Sequence, residues 1–174
     1  MTGKSQSILL GAMVVGLLAT IFGLVQFSAQ SQVLGSVACC VIPTVGALLA
    51  TWHYTSTNAL TIRAGEGAMI GLAASILGYF ISLVLSVLVS YTGLMPSPFD
   101  VEAVIEMTQQ SMVDSGSSQV EIDQAIGFMR EFYLMFVIVG IVAYGVLGAV
   151  VGAIGARLFK RGEPDMEFGA PEME

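Results

Sequence analysis

Three long stretches of the chain carry no charged residue: Ser5 to Ile62, Gly67 to Phe99, and Phe132 to Ala156. Each exceeds the roughly 20 apolar residues needed to cross about 30 Å of hydrocarbon. The first must hold two crossings, because a polar turn of Ala29, Gln30, Ser31 and Gln32 interrupts it. So short a turn makes the flanking helices antiparallel neighbours. The pattern predicts four membrane spans, at about 7–28, 33–54, 65–91 and 132–159. The first apolar run is longer than the core of a cleavable leader, and Phe27 stands where a cleavage site wants a small side chain, so it is expected to be retained as a span.

Between the third and fourth spans lies a polar segment with helical periodicity. Ser97 and Pro98 suit a helix start, as cap and first helical residue. Val101, Val104, Ile105, Thr108 and Met112 then fall on one face. The run Asp114 to Ser118 breaks this helix, and Ser118 with Glu121 forms a capping box for a second one. That second helix carries Ile122, Ile126 and Met129 on one face and can continue into the fourth span. The expected fold is all-α: four transmembrane helices in a bundle (residues 1–162) with an extracytoplasmic amphipathic helical hairpin at 97–131. Residues 163–174 have two prolines and five acids in the stretch from Arg161 onward and are expected to be a disordered acidic tail.

Composition agrees with the pattern. Hydrophobic residues make up 55% of the chain and charged residues 11%, too little polar surface to cover a soluble fold, where about 25% is usual. Lysine and arginine set the orientation. Lys4, Arg63, Arg157, Lys160 and Arg161 fall on one side of the predicted topology and only Arg130 on the other, which places both termini in the cytoplasm. The net charge of −7, with no basic stripe, excludes nucleic acid as a partner.

The spans carry small residues at helical spacing. On the third, Gly67, Gly71, Ser75, Gly78, Ser82, Ser86 and Ser90 recur every three or four positions. The fourth has Gly145, Gly148, Gly152 and Gly155, and the first has Ala12, Gly16, Ala19 and Gly23. Small side chains let helix backbones approach closely. These faces serve either bundle packing or docking of another membrane protein. Pro43 in the second span removes a backbone donor, so a kink is expected there.

Candidate chemistry is sparse. The segment Thr51 to Gly67 holds the chain's single Trp and single His, Trp52 and His53, together with Arg63 and Glu66. In the topology this is the cytoplasmic turn between spans two and three. Trp52, Tyr54 and Arg63 are interface anchors, and Glu66 suits the positive end of a helix and can pair with Arg63 three residues before it. A His53–Glu66 acid–base pair lacks a nucleophile and an orienting group. Cys39 and Cys40 are adjacent and point about 100° apart on a helix, which makes buried small hydrophobes of them rather than a soft-metal site. No ionisable group falls at mid-span, where each costs about 2.5–3.5 kcal/mol. Gln26, Thr20, Thr44 and Thr51 are the strongest polar groups in the spans. This argues against a proton pump or an ion-coupled carrier. No enzyme activity, metal or cofactor is expected.

Three features together carry a resemblance: the polar turn running into a glycine-rich span (NALTIRAGEGAMIGLAAS), the segment MPSPFD after that span, and the acidic helix pair MTQQSMVDSGSSQVEIDQAI leading to a last span that ends in a basic cluster. The chain resembles an uncharacterised four-span bacterial membrane family, a domain of unknown function common in Bacteroidetes. The resemblance implies this topology and the bacterial cytoplasmic (inner) membrane. The expected role is a membrane accessory or assembly protein, packing against partner membrane proteins or itself through its small-residue faces in the lipid bilayer. The alternative is a small oligomeric transporter or channel for an uncharged or weakly charged solute.

Overall fold

The computed structural model describes residues 3–29, 32–59 and 61–160, without the side chains of 27–29 and 32–37. Arg161, part of the Ala29–Gln32 turn and the acidic tail expected at 163–174 lie outside the described residues.

Among the described residues the chain is all-helical. α1 runs Lys4–Ala29, α2 Gln32–Asn58, α3 Ala64–Ser90, α4 Val101–Asp114 and α5 Gln119–Leu158. Long unbroken apolar runs have little choice but helix, which satisfies every backbone polar group within the segment. The few hydroxyls inside these runs do the same locally. Thr20 donates to the Gly16 carbonyl, Thr51 to Ala47, and Thr55 to Thr51, each at 2.9 Å. Three helices are long and apolar enough to cross a membrane: Lys4–Gln26, Ala64–Ser90 and Gln119–Leu158.

α3 lies at the centre, packing extensively on α5 and α1 and also on α2; α2 packs on α1 and α5. α1 and α5 make no comparable contact, so they stand at opposite corners. Ties at one end fix the directions. Lys4 at the start of α1 pairs with Glu66 in the first turn of α3, and Ser7 meets His53 near the end of α2. Each of α1, α3 and α5 turns an apolar row outward. On α1 the row is Leu9, Met13, Leu17, Ile21 and Val25, all exposed at four-residue spacing, while Ala12 and Val15 on the opposite face are fully buried.

α2 is one helix through Pro43, whose side chain is fully buried. The Thr44 hydroxyl donates to the Cys40 carbonyl at 2.7 Å, one residue beyond the Cys39 carbonyl that proline deprives of its donor.

Two local features depart from the sequence expectation or sharpen it. α4 starts at Val101 with Asp100 as its cap, accepting from the Ala103 amide at 3.2 Å. Ser97 and Pro98 belong to the preceding loop, because a carboxylate at Asp100 is an equally good cap three residues closer to the apolar face. The break after α4 is a Schellman turn: Ser117 N–H donates to Met112, Gly116 N–H to Val113, and Gly116 takes the positive φ of +80° that the motif requires.

α5 has 40 residues, about 60 Å at 1.5 Å each, twice the hydrocarbon thickness of a bilayer. Its φ and ψ leave the helical region at Phe132 (−111°, 16°). That residue is where the charge-free run begins. The kink divides a polar first part from an apolar second part.

Candidate functional site

The small residues read from the sequence as a helix-packing or docking face make contacts within the bundle. A Cβ built on Gly71 would lie 2.9 Å from the Gly152 Cα and 3.0 Å from the Gly148 carbonyl carbon. One built on Gly152 would lie 3.0 Å from both the Gly67 carbonyl carbon and the Gly71 Cα. Gly67 also faces Ala156, and Gly148 faces Ser75. α3 and α5 therefore cross backbone against backbone. Gly145 meets Ile76, and Gly155 meets Thr51 of α2. Gly78 faces the other way, against Ala12 and Val15 of α1, and Gly16 meets Ile81. Ser82 and Ser86 lie beyond the crossing and are only half-buried; Ser82 donates to the Tyr79 carbonyl at 2.7 Å. Ser75 sits at the α3–α5 crossing, fully buried, with its hydroxyl unpartnered.

The basic end gathers the polar groups that the sequence spreads over three segments. Ser7, fully buried, lies 2.9 Å from His53 Nδ1. Glu66 is 3.7 Å from Lys4 Nζ, so its partner is on α1 rather than Arg63, the residue three positions before it. Arg63 is exposed and caps α3 by backbone geometry, with no side-chain capping bond. Trp52 is exposed and Tyr54 half-buried. Chemically, this end is a cross-tie of α1 to α2 and α3. Cys39 and Cys40, expected to be buried, are free thiols on the exposed surface of α2, because the buried face there is that of Ala38 and Ile42. No group of three or more His, Cys, Asp or Glu converges among the described residues.

At the opposite end, α4 lies against the first part of α5. Arg130 reaches Glu102 at 2.7 Å, the Tyr133 hydroxyl donates to the Pro98 carbonyl, and Ile105 and Ile122 are buried. The capping box at the start of α5 is complete. Ser118 N–H and Oγ donate to Glu121 at 2.9 and 2.8 Å, and the Glu121 amide donates back to Ser118. The Ser118 backbone bond, followed by its hydroxyl, holds the Glu121 carboxyl below the usual range.

α4 makes no comparable contact with α1, α2 or α3. Between it and the end of α1 is a cleft of about 860 Å³. Gly23 and Gln26 of α1 form one wall, Met95, Pro96 and Pro98 of the loop another, and the Ala103-to-Ser111 face of α4 the roof; Tyr133 closes the side. The apolar face expected on α4 is divided: Ile105 goes inward, while Val104 and Thr108 line this cleft. Sequence reasoning found the face but not the cleft, whose walls come from four separate segments. No local signal marks it.

No protein-family model matches the chain, and no curated protein or solved structure matches it.

Proposed function

We propose that the chain is a four-span membrane protein of accessory or assembly type, which docks a transmembrane helix of a partner, or of a second copy, on the first half of its last span. α2 is the fourth span in this reading. It has 27 residues, like α3, and lies among α1, α3 and α5. If they cross the bilayer, it crosses with them. The basic end carries Lys4, Arg63, Arg157 and Lys160, so it is cytoplasmic. α4 and the start of α5 then form an extracytoplasmic hairpin. The membrane in this reading is the bacterial inner membrane, as the resemblance to a bacterial family implies.

The observation that carries the docking role is the limb of α5 just past the kink. Between Ile122 and Gly145 no residue of α5 is buried. Leu134, Met135, Phe136, Ile138, Val139 and Val142 are all exposed, and Phe128 stacks near Phe132 and Phe136 at 4.7 and 5.8 Å. α5 closes on α3 through glycine lower down and leaves this limb to one-sided contact. A neighbouring transmembrane helix gains dispersion contacts there that lipid chains make less well.

The test uses a background with Cys39 and Cys40 replaced by Ser. Cysteine at Phe136 or Val139 should give a cross-linked product of defined mass in native membranes, either twice the chain or the chain plus one partner. Cysteine at Leu9 on the opposite corner should not. Equal products at all three positions, or none, would sink the docking role. The transporter alternative has the cleft in its favour and predicts solute flux through reconstituted protein.

A further inference from the structure

We infer that the cleft under α4 is a binding site for one membrane lipid with an ammonium-bearing head group. The inference rests on the membrane placement above but not on docking by α5.

The space is of the right kind. At about 860 Å³ it lies within the roughly 300–1,000 Å³ range of small-molecule pockets, which combine an apolar lining with a few fixed polar groups. Its apolar lining is Met95, Pro96, Pro98, Ala103, Val104 and Met107. Gly23 leaves it open on the α1 side: a Cβ there meets nothing within 4 Å among the described residues. Every other glycine on α1 after Gly3 faces a neighbouring helix closely, so this one stands apart.

Its position is that of a leaflet boundary. Gly23 and Gln26 stand in the last two turns of α1, which ends at Ala29, and Tyr133 follows the kink that begins the charge-free part of α5. A lipid entering from the side would place its upper chain and head between these residues and α4.

Charge selects the head group. Glu106 is the one charged residue among the described lining residues, and it forms no ion pair with a described residue. The nearest basic side chain on this end, Arg130, is committed to Glu102 at 2.7 Å. Gln26 likewise makes no hydrogen bond to a described residue and can donate to or accept from a head group. A carboxylate without a cation beside it favours an ammonium and opposes a purely anionic head. Thr108 and Gln110 are already used within α4, bonding to Val104 and Asp114.

The full chain, purified in detergent, is offered phosphatidylethanolamine or phosphatidylglycerol with the same acyl chains and examined by native mass spectrometry. One phosphatidylethanolamine should stay bound per protomer at collision energies that strip the other lipid. Gly23→Phe, which projects into open space, should abolish the retained adduct, and Ala103→Phe should do so from the opposite wall. Glu106→Gln should erase the head-group preference. Leu9→Phe, on the exposed row of α1, should change nothing. Retention equal to wild type in both cleft-filling variants, no retained lipid on the wild type, or preferred retention of phosphatidylglycerol would each overturn the assignment. Because this readout concerns a lipid adduct and the docking test a protein cross-link, the two fail separately.

Discussion

Gly152→Ala adds one methyl group to α5 where that helix crosses α3 backbone against backbone, and should disrupt the bundle. The new carbon would sit 3.0 Å from the Gly71 Cα and from the Gly67 carbonyl carbon, where about 3.5–4.0 Å is comfortable. These atoms and the Gly67 carbonyl oxygen are all helix backbone in the first two turns of α3, so none can swing aside. Relief requires α3 and α5 to separate by about 0.5–1 Å, and a gap of that size forfeits a quarter to a half of each dispersion contact along the crossing. Overpacking of this type costs about 1–3 kcal/mol, and with rigid backbone on both sides we expect a value near 3. The same exchange at Gly140, where a Cβ would meet only the Tyr79 hydroxyl at 3.7 Å, should be neutral or slightly stabilising. Denaturant titration in mixed micelles, followed by circular dichroism, gives both numbers on one helix. The double variant Gly71→Ala with Gly152→Ala should cost less than the sum, since the first methyl has already parted the helices. Equal midpoints for the Gly152 and Gly140 variants would refute the backbone crossing.

Ser75→Ala removes a buried hydroxyl that has no partner; since an unsatisfied buried group costs about 1–3 kcal/mol, the same titration should show unchanged or raised stability, by up to about 1 kcal/mol. Arg130→Ala breaks a pair whose side chains are 59% and 67% exposed. It should cost under about 1 kcal/mol globally while raising hydrogen exchange across 101–114. The Glu121 carboxyl is held low, so its capping contribution is present above the ordinary carboxylate range and is lost as pH falls through the folded value. Protection of the amides in the first turn of α5, relative to their intrinsic exchange, should therefore fall at acid pH, and Glu121→Gln, which removes the titrating carboxyl, should remove that pH dependence.

Much of this was legible from local pattern. Helix limits followed the charge-free runs to within a few residues, because in such runs hydrophobicity and backbone satisfaction agree. The Ser118–Glu121 capping box was readable because its partners are three residues apart. The small-residue rows were readable as close-approach faces, but not which helix each would meet: Gly71 and Gly78 share a row, yet one faces α5 and the other α1. Contacts between distant segments were invisible for the same reason. Lys4 competes with Arg63 for Glu66 only once α1 and α3 stand side by side, and Ser7 finds His53 only across 46 positions. Asp100 displaced Ser97 as the α4 cap because both are good caps and Asp100 stands three residues closer to the apolar face.

The central claim is a four-span topology with the basic end in the cytoplasm. It is tested most directly by labelling single cysteines with a membrane-impermeant maleimide in intact cells, with Cys39 and Cys40 replaced by Ser. Ser115→Cys, in the turn after α4, should label from outside. Gly3→Cys and Thr61→Cys, at the end joined by Lys4–Glu66 and Ser7–His53, should label only after permeabilisation. Labelling of Gly3→Cys and Thr61→Cys from opposite sides would mean that α2 does not cross, and would contradict the account.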